Sequence, residues 1–543
     1  MSNNTIAQTE ISSIAPQVGT RDKLIQRVGL IIGILLLLAQ CFRLFGFVHD
    51  DAFITYRYAA NLLHGHGPVF NPGEHTEGFS CPLYMFVTSL LMILPGDPLF
   101  RAKLLGILFS VIAVIITQRL AQKLSLPSIL TAALPVLIGL NSTIALSSVD
   151  GMETTFQMML VTGAAYTIVR DFTKGPSIVS ALWLAAVALN RPEGALFLLA
   201  GLVPLIGNIR RDGFCRAHFT WLSIVFGPTF LYEVFRMIYF GYPMPNTYYA
   251  KNVSITSALE RGPFYLLRTI FVNLNERLHL GAFSVLLWLG ALGGGVNERM
   301  KGPNIILPLF VLSQAIFAFR SSGDWMQGWR YMMAVCPLWM ILVLLGIVEP
   351  MSHLVRGGKN KIAAACGISW CAVIGLGCLV AAPEFSNVEE GSVSWSSLGY
   401  PTNSRGLLKN FRMENTIISA EFLNKTVPAG STIAFSEMGA TPYFTPTIKW
   451  LDTYGLTDAE IAHLTGVNRF RTGVTGDYKD DSTELGRHIR DRKPDYVMQW
   501  QKQNFSQPTI LGGQYEAFAK TPLKGFDGNT EMYLHLWKRR GSK

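Results

Sequence analysis

Residues 49–84 read HDDAFITYRYAANLLHGHGPVFNPGEHTEGFSCPLY, and they decide the fold. Directly before them, residues 28–48 form an apolar run of about twenty residues, enough to cross a bilayer. The chain then changes character at once. His49, Asp50 and Asp51 stand side by side, an amphipathic run follows (Phe53, Tyr56, Arg57, Tyr58, Asn61), and then a loop rich in Gly, His and Pro. Two carboxylates at the end of a membrane helix are costly to place near hydrocarbon and usually face an aqueous cavity where they act. The stretch therefore reads as half of an active site at a membrane surface, with the rest of the chain supplying the other half.

The bulk numbers agree with a membrane protein. The chain has 543 residues, so two or more domains are expected. Half of them are hydrophobic, only 15% are charged, and the mean hydropathy is +0.30. That is too apolar for an ordinary soluble chain and fits a polytopic membrane protein with some soluble mass. The formal charge of +10 does not point to nucleic acid, because the Lys and Arg residues cluster in short loops between apolar segments. Of seven cysteines, none follows Cys378, so the C-terminal part has no disulfide framework, and no CxxC pair suggests zinc. The first apolar segment has flanks like those of a signal peptide, but it is long and lacks a small-residue cleavage site. It reads as a retained anchor.

Arg21, Lys23 and Arg27 precede that anchor, which places residues 1–27 in the cytoplasm as a tail and His49 on the outer face of the cytoplasmic (inner) membrane. Residues 82–95 are apolar but short, and they read as an interfacial segment within an outer loop spanning 49–102. Further spans are then expected at 103–118, 127–146, 153–169, 176–189, 195–207, 217–239, 279–296, 304–319, 332–348 and 362–381, about eleven in all with the first. This register puts the basic loops at Arg119/Lys123, Arg170/Lys174, Arg210/Arg211/Arg216, Arg299/Lys301 and Lys359/Lys361 inside. The expected fold is a polytopic α-helical transmembrane domain (28–381) and a periplasmic α/β domain (382–543). The latter opens with a Ser-, Gly- and Asn-rich linker over 382–410. A helix over 414–424, strands at 431–437 and 447–452, a helix at 457–466 and strands at 494–500 and 532–539 follow.

The outward loops share one composition: a carboxylate or amide, a cation, and aromatics. They carry Asp50, Asp51, Tyr56, Arg57 and Asn61; Asp150 and Glu153; Arg191 and Glu193; Asn246, Tyr248, Tyr249 and Lys251; and Asp324, Trp325, Gln327, Trp329, Arg330 and Tyr331. Sugar transfer from a lipid phosphate calls for these groups. A carboxylate among them can act as general base or stabilise an oxocarbenium-like centre. Arg57, Arg191, Lys251 and Arg330 can hold a phosphate leaving group. Tyr56, Asp150, Glu153, Glu193, Asn246, Tyr248, Asp324, Trp325 and Gln327 can contact donor sugar or acceptor, and an apolar groove between spans can take a polyprenyl chain.

Each group also has a plainer reading. Asp51 can cap the helix that follows it, and Asp150 and Glu153 can cap the next span. Arg191 and Glu193 can simply pair at the turn Arg-Pro-Glu-Gly, and Asp324 with Arg330. The loop histidines His49, His64, His66 and His75 fit no ligand spacing, so no metal ligand is assigned, although the carboxylates leave room for a divalent cation. Glu74 and Glu77 read as exposed turn residues. No P-loop and no dinucleotide fingerprint is present, which argues against a nucleotide-driven pump or a dehydrogenase.

At this level of detail the chain resembles a known family. The first loop is similar to that of the GT-C membrane glycosyltransferases, and within them the terminal β-(1→2) arabinofuranosyltransferases of mycobacteria and their pilin-decorating relatives. DGMET (150–154), NRPEG (190–194), GYPMPNTYYAK (241–251), GDWMQGWRY (323–331) and LDTYGLTDAEIAH (451–463) follow in the family's order, so the resemblance covers nearly the whole chain. It implies a GT-C fold, a polyprenyl-phospho-arabinofuranose donor used without nucleotide, and Asp50 or Asp51 as the catalytic carboxylate. A glycan or protein acceptor would be held with help from the C-terminal domain. One departure stands out: Gln327 occupies the place where a His is expected.

The expected activity is thus arabinofuranose transfer from a polyprenyl phosphate to a glycan or protein outside the cytoplasmic membrane, with no nucleic-acid partner. A transferase for another lipid-linked sugar has the same fold signature. A lipid-linked sugar transporter needs charges at mid-membrane and paired helix breaks, whereas here the charges gather at outer helix ends.

Overall fold

The computed structural model describes residues 19–251, 253–268, 281–323, 330–356, 358, 362, 365–372, 411–464, 480–501, 508–524 and 531–542. The first span is α1 (Thr20–Arg43), an apolar helix of 24 residues. The chain then turns into two short helices, α2 (Ala52–Leu63) and α3 (Pro82–Ile93), which lie either side of the Gly/His/Pro loop. At 12 residues, α3 is roughly 18 Å long, well short of a bilayer core, which suits the interfacial reading of 82–95.

Helix α4 (Pro98–Lys123) is long and apolar enough to cross a membrane, and α5 (Ser128–Leu140) and α6 (Ser142–Val149) follow as one broken path bent by 56°. The break is at Asn141, whose side chain accepts from the main-chain nitrogens of Thr143 and Ile144 and so starts α6 as a new helix. The uninterrupted span expected over 127–146 is therefore two helices. The bundle continues with α7 (Thr154–Asp171), α8 (Ile178–Asn190), α9 (Gly194–Asp212), α10 (Arg216–Tyr239), α11 (Asn246–Lys251), α12 (Ile255–Arg268), α13 (Gly281–Gly295), α14 (Ile306–Arg320), α15 (Arg330–Met333) and α16 (Cys336–Arg356). Among the described residues, five helices are long and apolar enough to cross a membrane, or six with the bent pair. The expected last span, 362–381, and the linker 382–410 fall largely or wholly outside the described residues.

Past this point the chain forms a sheet domain from α17 (Phe411–Thr426), β1 (Thr432–Phe435), α18 (Ala440–Tyr443), β2 (Lys449–Asp452), α19 (Ala459–Ala462), α20 (Glu484–Arg492), β3 (Tyr496–Gln501), β4 (Thr509–Ile510), β5 (Tyr515–Lys524) and β6 (Glu531–Arg539). The six strands run in the order β2-β1-β3-β6-β5-β4; β1 is parallel to both neighbours and the remaining pairs are antiparallel. All four strands expected from the sequence are present. Of the helix expected over 457–466, the described residues hold α19, and 465–466 lie outside them.

Strand alternation divides the domain's core in two. Ala434, Leu451, Val497 and Trp537 face one side, where Leu485 and Ile489 of α20 cover them. Ile433, Phe435, Trp450, Tyr496, Met498 and Leu534 face the other, and there the same apolar cluster contains Ile54, Tyr58, Phe70, Phe79 and Met85 of the first loop. The first loop and the sheet domain share a core.

Candidate active site

Three loops and one short helix meet at the end of the bundle where α1 gives way to α2. The main-chain nitrogen of His49 donates to the carbonyl of Asp150 at 3.1 Å, which brings the Asp-Asp pair beside the DGMET loop. That loop is held by its own side chain, since Asp150 Oδ1 accepts from the nitrogen of Met152 at 2.8 Å. Gly151 has φ of +83°, and its carbonyl accepts from the hydroxyls of Tyr56 at 2.8 Å and Tyr84 at 3.1 Å. A Cβ at Gly151 would lie 2.9 Å from the Tyr56 oxygen, so both handedness and space demand glycine here. Tyr56, expected to contact sugar, instead buttresses this turn and is fully buried.

Arg191 stands at the centre of the charged residues. It pairs with Glu193 two positions on and with Glu153 from the start of α7, and all three side chains are buried. The local Arg191–Glu193 pair expected from the turn is real, but it is one side of a three-residue constellation. Tyr331 sits under both guanidiniums, 5.8 Å from that of Arg191 and 5.6 Å from that of Arg330. Arg330 also reaches Met152 Sδ at 3.5 Å. Asn190, ending α8, donates to Gln157 of α7 at 2.8 Å and locks the NRPEG turn against the neighbouring helix. Two buried acceptors, Glu193 Oε2 and Asn190 Oδ1, have no donor among the described residues.

Burial and charge set the protonation of this cluster. Burial pushes Asp150 up to about 8; Glu153 adds to the rise, while the Met152 nitrogen and the cations Arg330 and Lys103 oppose it. Burial also raises Glu153, but Arg191 and Arg330 outweigh it and hold that carboxyl below its usual range. Arg191 is disfavoured by burial, yet its two carboxylates keep it above the ordinary guanidinium value. The two neighbouring carboxyls are thus pushed in opposite directions, Asp150 toward its neutral acid and Glu153 toward its anion.

Other expected site residues are placed differently. Arg57 is not among the cluster's cations: it is buried and donates to the carbonyls of Phe70 at 2.8 Å, Ile448 at 3.0 Å and Pro442. Burial lowers it to about 10. It clamps the first loop to the sheet domain and does not stand open to a phosphate. Asn246 likewise donates to the carbonyls of Gly455 at 2.7 Å and Leu456 at 3.1 Å. Tyr248 is 58% exposed, and Lys251 is half-buried with no ion pair among the described residues. Asp51 occupies the position before α2 without a side-chain capping bond, and Glu153 does the same before α7. Asp50 is half-buried and accepts from the nitrogen of Ala440 at 2.9 Å. Asp324, Trp325 and Gln327 lie outside the described residues.

Among the described residues no three His, Cys, Asp or Glu side chains gather as a metal site. Glu153 and Glu193 are both turned to Arg191.

Sequence reasoning missed the seam between the first loop and the sheet domain. Asn71 of VFNPGE exchanges two hydrogen bonds with the main chain of Trp450, at 2.8 and 3.1 Å, as a neighbouring strand would. Glu74 pairs with Lys449 at 2.6 Å. Glu77, read as an exposed turn residue, is buried and bound by Tyr232 and Arg236 of α10, each at 2.7 Å. His463 stacks on Tyr242 with ring centres 4.7 Å apart and touches Tyr249 at 4.5 Å. The motifs around residues 71, 246 and 455 therefore converge on one seam, a clue available only as spacing-blind similarity in the sequence.

A family model described as a domain of unknown function (DUF8728) matches residues 409–535, the sheet domain. The chain is 26% identical over 371 residues to a terminal β-(1→2)-arabinofuranosyltransferase of Corynebacterium glutamicum, covering 60% of this chain and 52% of that protein. It is 26% identical over 357 residues to the Mycobacterium tuberculosis protein of the same name, covering 55% and 52%. The structure of ArnT from Cupriavidus metallidurans bound to undecaprenyl phosphate aligns over 94% of this chain and 97% of that one, at 12% identity and a TM-score of 0.47. The chain spans about half the length of the curated relatives it matches. The resemblance carried by the loop motifs and the similarity over these aligned stretches agree: this chain is similar to the terminal β-(1→2)-arabinofuranosyltransferases.

Proposed function

We propose that this protein is a GT-C glycosyltransferase that moves arabinofuranose from a polyprenyl-phosphate donor to a glycan or protein acceptor at the outer face of the cytoplasmic membrane. In this reading the chain crosses the membrane about eleven times, with its N-terminus inside and the sheet domain outside. The observation that carries it is the meeting of Asp50, Asp150, Glu153, Arg191, Glu193 and Arg330 at one end of an apolar helical bundle. The similarity to proteins named terminal β-(1→2)-arabinofuranosyltransferases supports arabinofuranose as the sugar.

The residues divide the work. Asp50 or Asp51 takes the proton of the acceptor hydroxyl as it attacks the anomeric carbon, or stabilises the positive charge developing there. The bond from that carbon to the phosphate oxygen breaks, and the phosphate leaves with the bonding electrons. In this reading Arg330 and Lys251 offset that negative charge. Arg191 is largely neutralised by two carboxylates; it orders them. In this reading Glu193 Oε2 accepts a hydrogen bond from a hydroxyl of a bound sugar, and the carboxyl of Asp150, raised by burial, donates to one.

The test is donor choice. The purified protein receives arabinan-type acceptor with polyprenyl phosphates carrying arabinofuranose, a hexose or an amino sugar, and products are read by mass. Arabinofuranose transfer is expected to dominate. Hexose transfer alone keeps the enzyme class and removes the sugar assignment. Release of donor across a vesicle membrane without any transfer sinks the enzyme reading in favour of transport.

A further inference from the structure

Asp50 Oδ1 accepts a hydrogen bond from Ala440, 390 positions away in the sequence. The residue before Ala440 runs even closer. A Cβ built on Gly439 would lie 2.1 Å from Asp50 Oδ2, 2.3 Å from its Cγ and 2.3 Å from its carbonyl oxygen. No side chain fits there unless the aspartate moves. The backbone at Gly439 has φ of −80°, so it is the approach and not a left-handed conformation that demands glycine.

The same segment is fastened to α2 at further points. Arg57 donates to Pro442. The Phe53 ring lies 5.3 Å from that of Tyr443 and 5.5 Å from that of Phe444. Ala440 is fully buried in a small apolar cluster with Val48, Ala52, Phe53, Tyr56 and Met152. That cluster joins the sheet domain to the loops that carry Asp50 and Asp150. The position of residues 439–444 over Asp50 is thus fixed on several sides.

We infer that Gly439 and the main-chain nitrogen of Ala440 are the positioning element for Asp50 as the reacting carboxylate, so that the sheet domain completes the active site and does not merely hold the acceptor. The inference rests on the transferase reading above. A carboxylate acting at a sugar carbon has to be held close to its productive geometry, and a shift of about an ångström can cost about a hundredfold in rate. A main-chain donor on one oxygen and a backbone wall against the other restrict that movement.

The experiment compares the full chain with Gly439→Ala, Asp50→Asn and the double variant, in transfer from synthetic polyprenyl-phosphoryl-arabinofuranose to an arabinan acceptor. Hydrogen exchange at the Ala440 amide is followed in parent and Asp50→Ala without substrate. Gly439→Ala is expected to lower kcat at least about tenfold with donor KM within about threefold. In the Asp50→Asn background it is expected to cost less than about twofold more, because the residue it acts through is already gone. Asp50→Ala, which removes the acceptor, should speed exchange at Ala440 while the strands keep their protection.

A full multiplicative loss in the double variant overturns the proposal, since Gly439 then acts through the fold alone. Parental transfer by Asp50→Asn overturns it too. So does an Ala440 amide that ignores the substitution at Asp50. Absence of transfer by the parent, with Ala440 exchange responding as expected, sinks the transferase reading; an unresponsive Ala440 sinks the positioning claim by itself.

Discussion

Arg191 and Glu153, 38 positions apart, meet as a buried ion pair that ties the NRPEG turn to the start of α7. Glu193 completes the arrangement from the other side. Removing one partner of such a pair leaves the other charge buried and uncompensated, which typically costs about 3–5 kcal/mol. Arg191→Ala is therefore expected to lower the thermal midpoint in detergent markedly. Arg191→Lys should recover only part of the loss, because an ammonium cannot reproduce the two-sided guanidinium geometry. A midpoint unchanged by Arg191→Ala contradicts a buried pair.

Asp150 supplies a pH test. Its folded value of about 8 lies above the ordinary 3.8 of an unfolded aspartate. The folded state then holds a proton that the unfolded state releases. The stability from this group is full below the unfolded value, falls as pH rises between the two, and is gone above the folded one. Asp150→Asn stays neutral throughout and can still accept from Met152. Its midpoint relative to the parent is expected to climb between pH 5 and 8 and to level off above. A difference that stays flat over that window means that Asp150 is ionised in the folded protein.

The seam gives a third expectation. Asn71 stands in for a strand beside Trp450, using both its amide groups on one residue's main chain. Asn71→Ala leaves two main-chain groups of a buried strand without partners, a loss of roughly 1–3 kcal/mol for each that water cannot reach. Proteolysis between the first loop and the sheet domain should accelerate, while helix content in circular dichroism holds. Unchanged proteolysis means that the shared apolar core alone sustains the docking.

Gly151 offers a fourth. Alanine there meets a positive φ and the Tyr56 hydroxyl together. A strain of about 1–2 kcal/mol from the backbone alone is expected, and more from displacing Tyr56. Tyr56→Phe should relieve the steric part, so the double variant is expected to be more stable than Gly151→Ala alone. Strict additivity removes Tyr56 from the account.

These particulars show what the sequence could and could not disclose. The apolar runs announced the helices, and strands such as those at 432–435 and 496–501 were legible from β-branched and aromatic residues. The helix at 484–492 was not, because its sequence ELGRHIRDR buries little beyond Leu485, Gly486 and Ile489. The ten-residue strand at 515–524, YEAFAKTPLK, carries a proline and several polar residues and pairs by main chain, which periodicity does not reveal. Arg191, Glu153 and Glu193 were singled out by charge at helix ends, and the fold brings them together. Arg57 and Asn246 were singled out by the same signal, yet long-range packing assigns them to main-chain carbonyls instead. Composition marks a polar residue near a membrane end as unusual; it does not distinguish a ligand contact from a clamp between domains.

The most direct measurement is a single-turnover reaction of the purified protein with radiolabelled polyprenyl-phosphoryl-arabinofuranose and an arabinan acceptor, run beside Asp50→Asn and Asp51→Asn with donor binding measured in parallel. The account predicts sugar transfer by the parent, and loss of about a thousandfold or more in Asp50→Asn with donor binding retained. A parent that binds the donor and never transfers its sugar contradicts the account.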